Sequence, residues 1–307
     1  MELLWAIEGI RTPFLDLLFS WITRLGEQEL LIFVFCLLFW CLNKRMAHGL
    51  GLSFFLSGLA VQGMKIIFQV PRPWVVDRSF TVVKSAEYAA TGFAFPSGHT
   101  QVAASLLGTI AAYVRQIPIK VLCLIFILLV AFSRMYLGVH YLSDVLVSVI
   151  LTLALVHIAV KYIAIDRINK KRELTIALCL TAFAVVVITI GLGLYFTGRI
   201  NAPPGEHAYP MVKDLMKAAG ATIGFAFGMY FERVHINFSV RCKNLFWHII
   251  KFLIGFIMVF VCMEGLKPVY AMLPIDELIQ DALRYFVLVI WITALYPLII
   301  RRFFAVR

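Results

Sequence analysis

The chain has 307 residues, 62% of them hydrophobic and only 15% charged, with 28 Lys and Arg against 17 Asp and Glu and a formal net charge of +11. Soluble globular domains run nearer half apolar and a quarter charged, so a soluble fold is excluded. The basic excess lies mainly in alternate loops and not in one patch or stripe, which is how membrane topology is set and not how nucleic acid is bound. Repeated apolar stretches of about 20 residues are what a hydrocarbon core roughly 30 Å thick requires of a helix. The fold class is therefore all-α: a polytopic membrane helix bundle forming one integral-membrane domain over 1–307, with membrane lipids as partners and no nucleic acid.

In chain order, residues 1–25 place apolar groups at helical spacing with Glu2, Glu8, Arg11 and Asp16 among them, which predicts an N-terminal amphipathic helix lying in the interface. Its apolar stretch lacks the basic start and small-residue cleavage site of a signal peptide. About nine transmembrane helices follow, near 29–43, 48–69, 99–114, 118–137, 142–163, 174–197, 215–233, 247–267 and 281–300. The first is short enough to draw on the residues before it. Lys44 and Arg45, Arg115 and Lys120, the 167–172 cluster, Arg233, Arg241 and Lys243, and the tail Arg301, Arg302 and Arg307 fall in one set of loops. The positive-inside rule puts that set, and the C-terminus, in the cytoplasm. The six cysteines have no metal-type spacing, and most sit in apolar segments as small hydrophobes.

Three polar islands interrupt this chain, all in the opposite set of loops: Lys65 to Pro73, Pro96 to His99, and Ser133 to Asp144. A charged group at bilayer depth costs several kcal/mol unless it is paired, hydrated or moved to the interface. His140 and Asp144 are four apart, so a helix beginning near Tyr141 brings them together. A carboxylate on one imidazole nitrogen fixes the tautomer and leaves the other nitrogen free to attack. Arg134 offers a planar fork of donors to a phosphate. Ser97 suits an N-cap, and Gly98 permits close backbone approach at a helix start where N–H groups face an anion. His99, placed there, can hand a proton to a leaving oxygen. Arg72 sits between Pro71 and Pro73, which stiffen it, and Lys65 lies one to two turns back. Taken singly, each island also has a plain reading: a structural His–Asp pair, an ordinary turn with a cap, a snorkelling lysine.

Their combination resembles the phosphatidic acid phosphatase type 2 superfamily, whose pattern is Lys-x6-Arg-Pro, Pro-Ser-Gly-His and Ser-Arg-x5-His-x3-Asp. This chain carries it as Lys65, Arg72 and Pro73; Pro96, Ser97, Gly98 and His99; and Ser133, Arg134, His140 and Asp144. The resemblance covers roughly residues 45–160. It implies that His140 attacks phosphorus and forms a phosphohistidine, that Asp144 orients it, and that His99 protonates the departing oxygen. Lys65, Arg72, Ser97, Gly98 and Arg134 would hold the phosphoryl oxygens. No carboxylate cluster suited to Mg²⁺ is evident, so the expectation is a metal-independent, cofactor-free phosphatase of a lipid phosphate or diphosphate. A weaker likeness to the glucose-6-phosphatase and sphingosine-phosphate phosphatase branches keeps a soluble sugar phosphate open as substrate. A transporter would show paired, repeat-related broken helices, and none is seen.

Elsewhere the long 74–95 loop reads as a lid, with Trp74 and Phe80 as interfacial aromatics. Glu206 and His207 lie in an outer loop that needs no function, and Glu264 with Lys267 reads as an ion pair at a helix end. The sequence gives the last three spans no role beyond packing.

Overall fold

The computed structural model describes residues 1–87, 90–164, 168–202, 207–265, 267–272 and 274–304, and these are helical throughout apart from loops and turns. Glu206, raised above as a loop residue, lies outside the described residues. The N-terminal segment is not one amphipathic helix. It forms α1 (Glu2–Glu8), α2 (Pro13–Ile22) and a 3-10 turn (Thr23–Gly26) before α3 (Gln28–Leu37), which continues as a π turn to Leu42. Thr12 caps α2, its hydroxyl accepting from the Leu15 N–H, and Pro13 starts the helix where no N–H is needed. Arg11 ties the break between α1 and α2 to the end of a later helix, its Nε donating to the Tyr136 carbonyl at 2.8 Å. Phe14, Leu17, Leu18 and Trp21 keep an apolar outer face.

Four helices carry the polar islands at their ends. In α4 (Lys44–Phe68) the Asn43 side chain caps the start and Gln69, with φ of 49°, closes the end. The short helices α5 (Pro73–Val76) and α6 (Lys84–Glu87) punctuate the loop that follows. Then come α7 (Gly98–Tyr113), α8 (Ile117–Tyr136) and α9 (Leu142–Ala164). Because α4 and α8 finish where α7 and α9 begin, Lys65, His99, Arg134 and His140 meet at one end of the bundle. The basic loops holding Lys44, Arg45, Arg115 and Lys120 lie at the other.

The second half adds α10 (Lys170–Phe196), α11 (Ala208–Phe231), α12 (Leu245–Phe260), α13 (Lys267–Ala271), α14 (Glu277–Ile290) and α15 (Tyr296–Phe303). α11 is its organiser, packing on α14, α10 and α4. Gly220, Gly224 and Gly228 recur every fourth residue along α11. A Cβ at the first two would strike the α14 backbone at Ala282 and Phe286, and one at Gly228 would strike Thr293 beyond it. Small residues at this spacing let two helices approach where lipid supplies no hydrophobic drive between them.

Among the described residues, six helices are long and apolar enough to cross a membrane, or seven if the pair Pro13–Gly26 and Gln28–Leu42, bent by 46°, is one span. The expected nine is therefore not reached on length and composition. α7 has 16 residues, and α11 carries Lys213, Asp214 and Lys217 in its first turns. Two other expectations change. Phe80 is 3% exposed, edge-on to Trp5 and under the Arg11 guanidinium, so it is a core ring and not an interfacial one. Cys179 faces outward from α10 although Cys36, Cys41, Cys123 and Cys262 are buried. Glu264 and Lys267 do pair.

At the end away from the islands, Glu173 of α10 is fully buried and accepts from Arg233 Nε at 3.0 Å and Nη2 at 3.2 Å, from Arg172, and from the Tyr162 hydroxyl. Glu232 is likewise buried between Lys44 at 2.9 Å and His48 at 3.0 Å. These carboxylates join the first half of the chain to the second. Removing one partner of a buried pair leaves an uncompensated charge costing about 3–5 kcal/mol. Glu173→Ala is thus expected to lower the unfolding midpoint in detergent clearly, whereas Glu264→Ala, an exposed pair, leaves it nearly unchanged.

Candidate active site

A cavity of about 590 Å³ opens at the island end of the bundle, and Lys65, Arg72, Gly98, His99, Arg134 and His140 all line it. The turn after α8 delivers His140: Gly138 takes a φ of 84°, and the chain enters α9 at Leu142. The imidazole is 2% exposed and Asp144 fully buried. His140 Nδ1 donates to Asp144 Oδ2 at 3.2 Å, and the same oxygen accepts from the Tyr141 N–H at 2.9 Å. The pair forms although His140 itself precedes the helix.

Arg72 decides which nitrogen is free. Its Nη1 lies 3.2 Å from His140 Nε2, and a guanidinium has only donors, so Nε2 must be the acceptor and Nδ1 must carry the proton toward Asp144. The rest of the fork is held by backbone carbonyls: Nε on Gly92 at 3.0 Å, Nη2 on Thr91 at 2.8 Å and Nη1 on Val139 at 2.9 Å. The end of the 74–95 loop is thus a clamp on Arg72, and Gly92 turns it with a φ of 66°.

Arg134 is 2% exposed. Its Nη1 donates to Thr23 Oγ1 at 2.9 Å, while its buried Nε has no partner among the described residues. At the start of α7, a Cβ added to Gly98 would meet nothing within 4 Å, so this backbone faces open cavity where the first-turn N–H groups lack helical acceptors. Ser97 stands differently from its expected role as a phosphate contact. Its hydroxyl is fully buried and takes a hydrogen bond from Thr100 at 3.0 Å, it makes no side-chain cap, and it is not part of the cavity wall. What Ser97 does join is its own N–H to the Asp144 carbonyl at 3.2 Å, fastening the second island to the third.

Several contributors were not anticipated. Thr23, Gly26, Glu27, Gln28 and Glu29 come from the N-terminal segment, Gln62 from α4, and Asp214 from α11. Gly26 packs so closely that a Cβ there would strike the His99 carbonyl. The one signal in the chain is the polar break at 23–29, which straddles the end of the amphipathic segment at 1–25 and the start of the first expected span at 29–43.

These features define a helical membrane protein with an oriented His–Asp pair beside clustered cations. The chain matches the PAP2 superfamily over residues 46–168 and the transmembrane extension of PAP2 superfamily phosphatases over residues 216–306. It belongs to the PAP2 superfamily. It is 26% identical to Sphingosine-1-phosphate phosphatase 2 of Homo sapiens over 238 residues, 73% of this chain and 55% of that protein. It is 29% identical to Phosphatidylglycerophosphatase B of Escherichia coli (strain K12) over 185 residues, 45% of this chain and 72% of that one. The chain thus spans little more than half the length of the first of these relatives. Among solved structures, LpxE of Aquifex aeolicus is 27% identical with a TM-score of 0.48, covering 52% of this chain and 94% of that one.

Burial, and after it the positive fields of Arg72, Arg134 and Lys65, hold the His140 pKa well below the ordinary imidazole range. The unfolded ring titrates near 6.5, so below that pH the unfolded state binds the extra proton and stability falls as pH falls. Between about pH 6.5 and 5 the wild-type unfolding midpoint is expected to drop more steeply than that of His140→Asn. Equal slopes in detergent would show that the ring is not held neutral.

Proposed function

We propose that this protein is an integral-membrane phosphatase that hydrolyses a lipid phosphate or diphosphate monoester through a phosphohistidine on His140. The observation that carries the reading is one cavity in which His140, backed by the buried Asp144, and the cations Arg72, Arg134 and Lys65 converge. In this reading the phosphoryl group takes the Arg72 donor away from His140 Nε2, and the freed lone pair attacks phosphorus. The bond to the leaving oxygen breaks as His99 gives that oxygen a proton. Water then attacks the phosphohistidine, His99 takes a proton from it, and the P–N bond breaks to release phosphate and neutral His140. Asp144 stabilises the charge on the ring while Nε2 is phosphorylated. The cations and the Gly98 backbone act by preorganised positive charge where negative charge spreads. Chain cations do this work, so the reaction is read as independent of metal ions. Ser97 serves by positioning the start of α7 against Asp144 and not by touching phosphate.

The relatives named above are phosphatases of sphingosine-1-phosphate and phosphatidylglycerophosphate by name, which supports a lipid substrate. Counting the bent N-terminal pair, α7 and α11 as passes gives nine. With the basic loops cytoplasmic, the cavity then faces the non-cytoplasmic side and the C-terminus the cytoplasm.

His140→Ala is expected to lose at least about 10³-fold in kcat. Asp144→Asn should lose about 10²–10⁴-fold, through the wrong tautomer, and His99→Ala about 10²–10⁴-fold. Radiolabelled lipid phosphate should leave acid-labile label on the wild type and none on His140→Ala, and EDTA should leave turnover unchanged. Near wild-type release of phosphate by His140→Ala, or release from a soluble sugar phosphate but from no lipid phosphate, would overturn the reading.

A further inference from the structure

A second cavity of about 360 Å³ continues from the first: Gln28, Gln62, Gly98 and Asp214 line both. Its chemistry changes along its length. The shared mouth is polar, with Asp214 paired to Lys217 at 2.9 Å. Beyond it the walls are mainly apolar, including Phe35 of α3, Phe54 of α4, Leu288 of α14 and Ile292 just after it, with Gln101 and Thr222 as polar members. Three bounding helices agree on the direction: Gln28 to Phe35 on α3, Gln62 to Phe54 on α4 and Asp214 to Thr222 on α11 each run from mouth to interior. Seven or eight residues of helix rise roughly 12 Å. The result is a slot about that long, leading from the cation-lined cavity into the bundle between the PAP2 region and the extension.

We propose that this slot encloses the first part of the hydrocarbon chain of the substrate, so that the enzyme selects phosphate esters of long-chain alcohols. This rests on the phosphatase reading above. For a phosphate held on Arg72 and Arg134, the slot is the continuation of the cavity that offers methylenes a mainly apolar wall. α11 and α14 form one side of it, held together by Gly220 and Gly224. The extension therefore acts as a specificity wall as well as a packing element.

The test uses full-length protein and two alkyl phosphates, ethyl and decyl, with inorganic phosphate release as the readout. Gly58→Leu and Ala218→Phe fill the slot from two different helices, α4 and α11. A Cβ at Gly58 makes only an ordinary contact, 3.7 Å from Gln101, so the added side chain has room to enter. Each buried methylene is worth about fourfold in affinity. The decyl-to-ethyl ratio of kcat/KM is therefore expected to fall at least about tenfold in each variant. Partitioning into detergent is common to all forms and cancels in the comparison, and ethyl phosphate turnover reports that the variant is folded. A wild-type ratio in a folded variant overturns the slot. Wild-type protein that releases phosphate from both esters and from lipid phosphates, with the same ratio in the variants, sinks the slot alone. Wild-type protein that releases phosphate from no ester sinks the phosphatase reading and the slot with it.

Discussion

Positive charge gathered in a poorly hydrated place governs this molecule. Arg72 and Arg134 are 3% and 2% exposed, and Lys65 shares their cavity. Desolvation and mutual repulsion both oppose such a cluster. The fold answers with backbone. Carbonyls of Thr91, Gly92 and Val139 accept three hydrogen bonds from the Arg72 fork, Thr23 takes one arm of Arg134, and acidic residues from α3 and α11 stand along the same cavity. That compensation recruits the N-terminal segment, the end of the 74–95 loop and the turn before α9, which explains why segments far apart in the chain converge here. It also leaves capacity for an anion, since Arg134 Nε has no partner among the described residues.

The His–Asp pair is governed by the same cluster. Asp144 accepts the hydrogen bond from Nδ1–H and Arg72 faces Nε2, so the tautomer follows from having a pure acceptor on one side and a pure donor on the other. In the reaction proposed for this site, a ring kept neutral by burial and by neighbouring cations is the nucleophile before substrate arrives, and Arg72 would both bind the anion and hold the attacking lone pair until phosphate displaces it.

The two ends of the bundle divide the labour. At the end away from the cavity, Glu173 and Glu232 are buried acceptors that bring Arg233, Lys44 and His48 together and lock α4, α9, α10 and α11. At the other end, helices are held by glycine approach and hydrogen bonds to loops, which leaves space between them. The cation-lined cavity and the mainly apolar slot both occupy that space.

The islands at Lys65–Pro73, Pro96–His99 and Ser133–Asp144 were legible from the chain because charge among apolar residues is costly enough to need a reason, and the His140–Asp144 spacing already implied contact. The all-helical fold was legible for the same reason that spans need long apolar runs. Tertiary structure alone decided that Thr23 reaches Arg134, that Gly26 abuts His99, that Ser97 turns from the cavity to Thr100 and Asp144, and that Phe80 is buried. It also decided that α11 meets α14 closely enough to form one wall of the slot. Local periodicity records which face of a helix is apolar, whereas contacts between residues far apart in the chain depend on how whole helices pack, and no spacing along the chain carries that information.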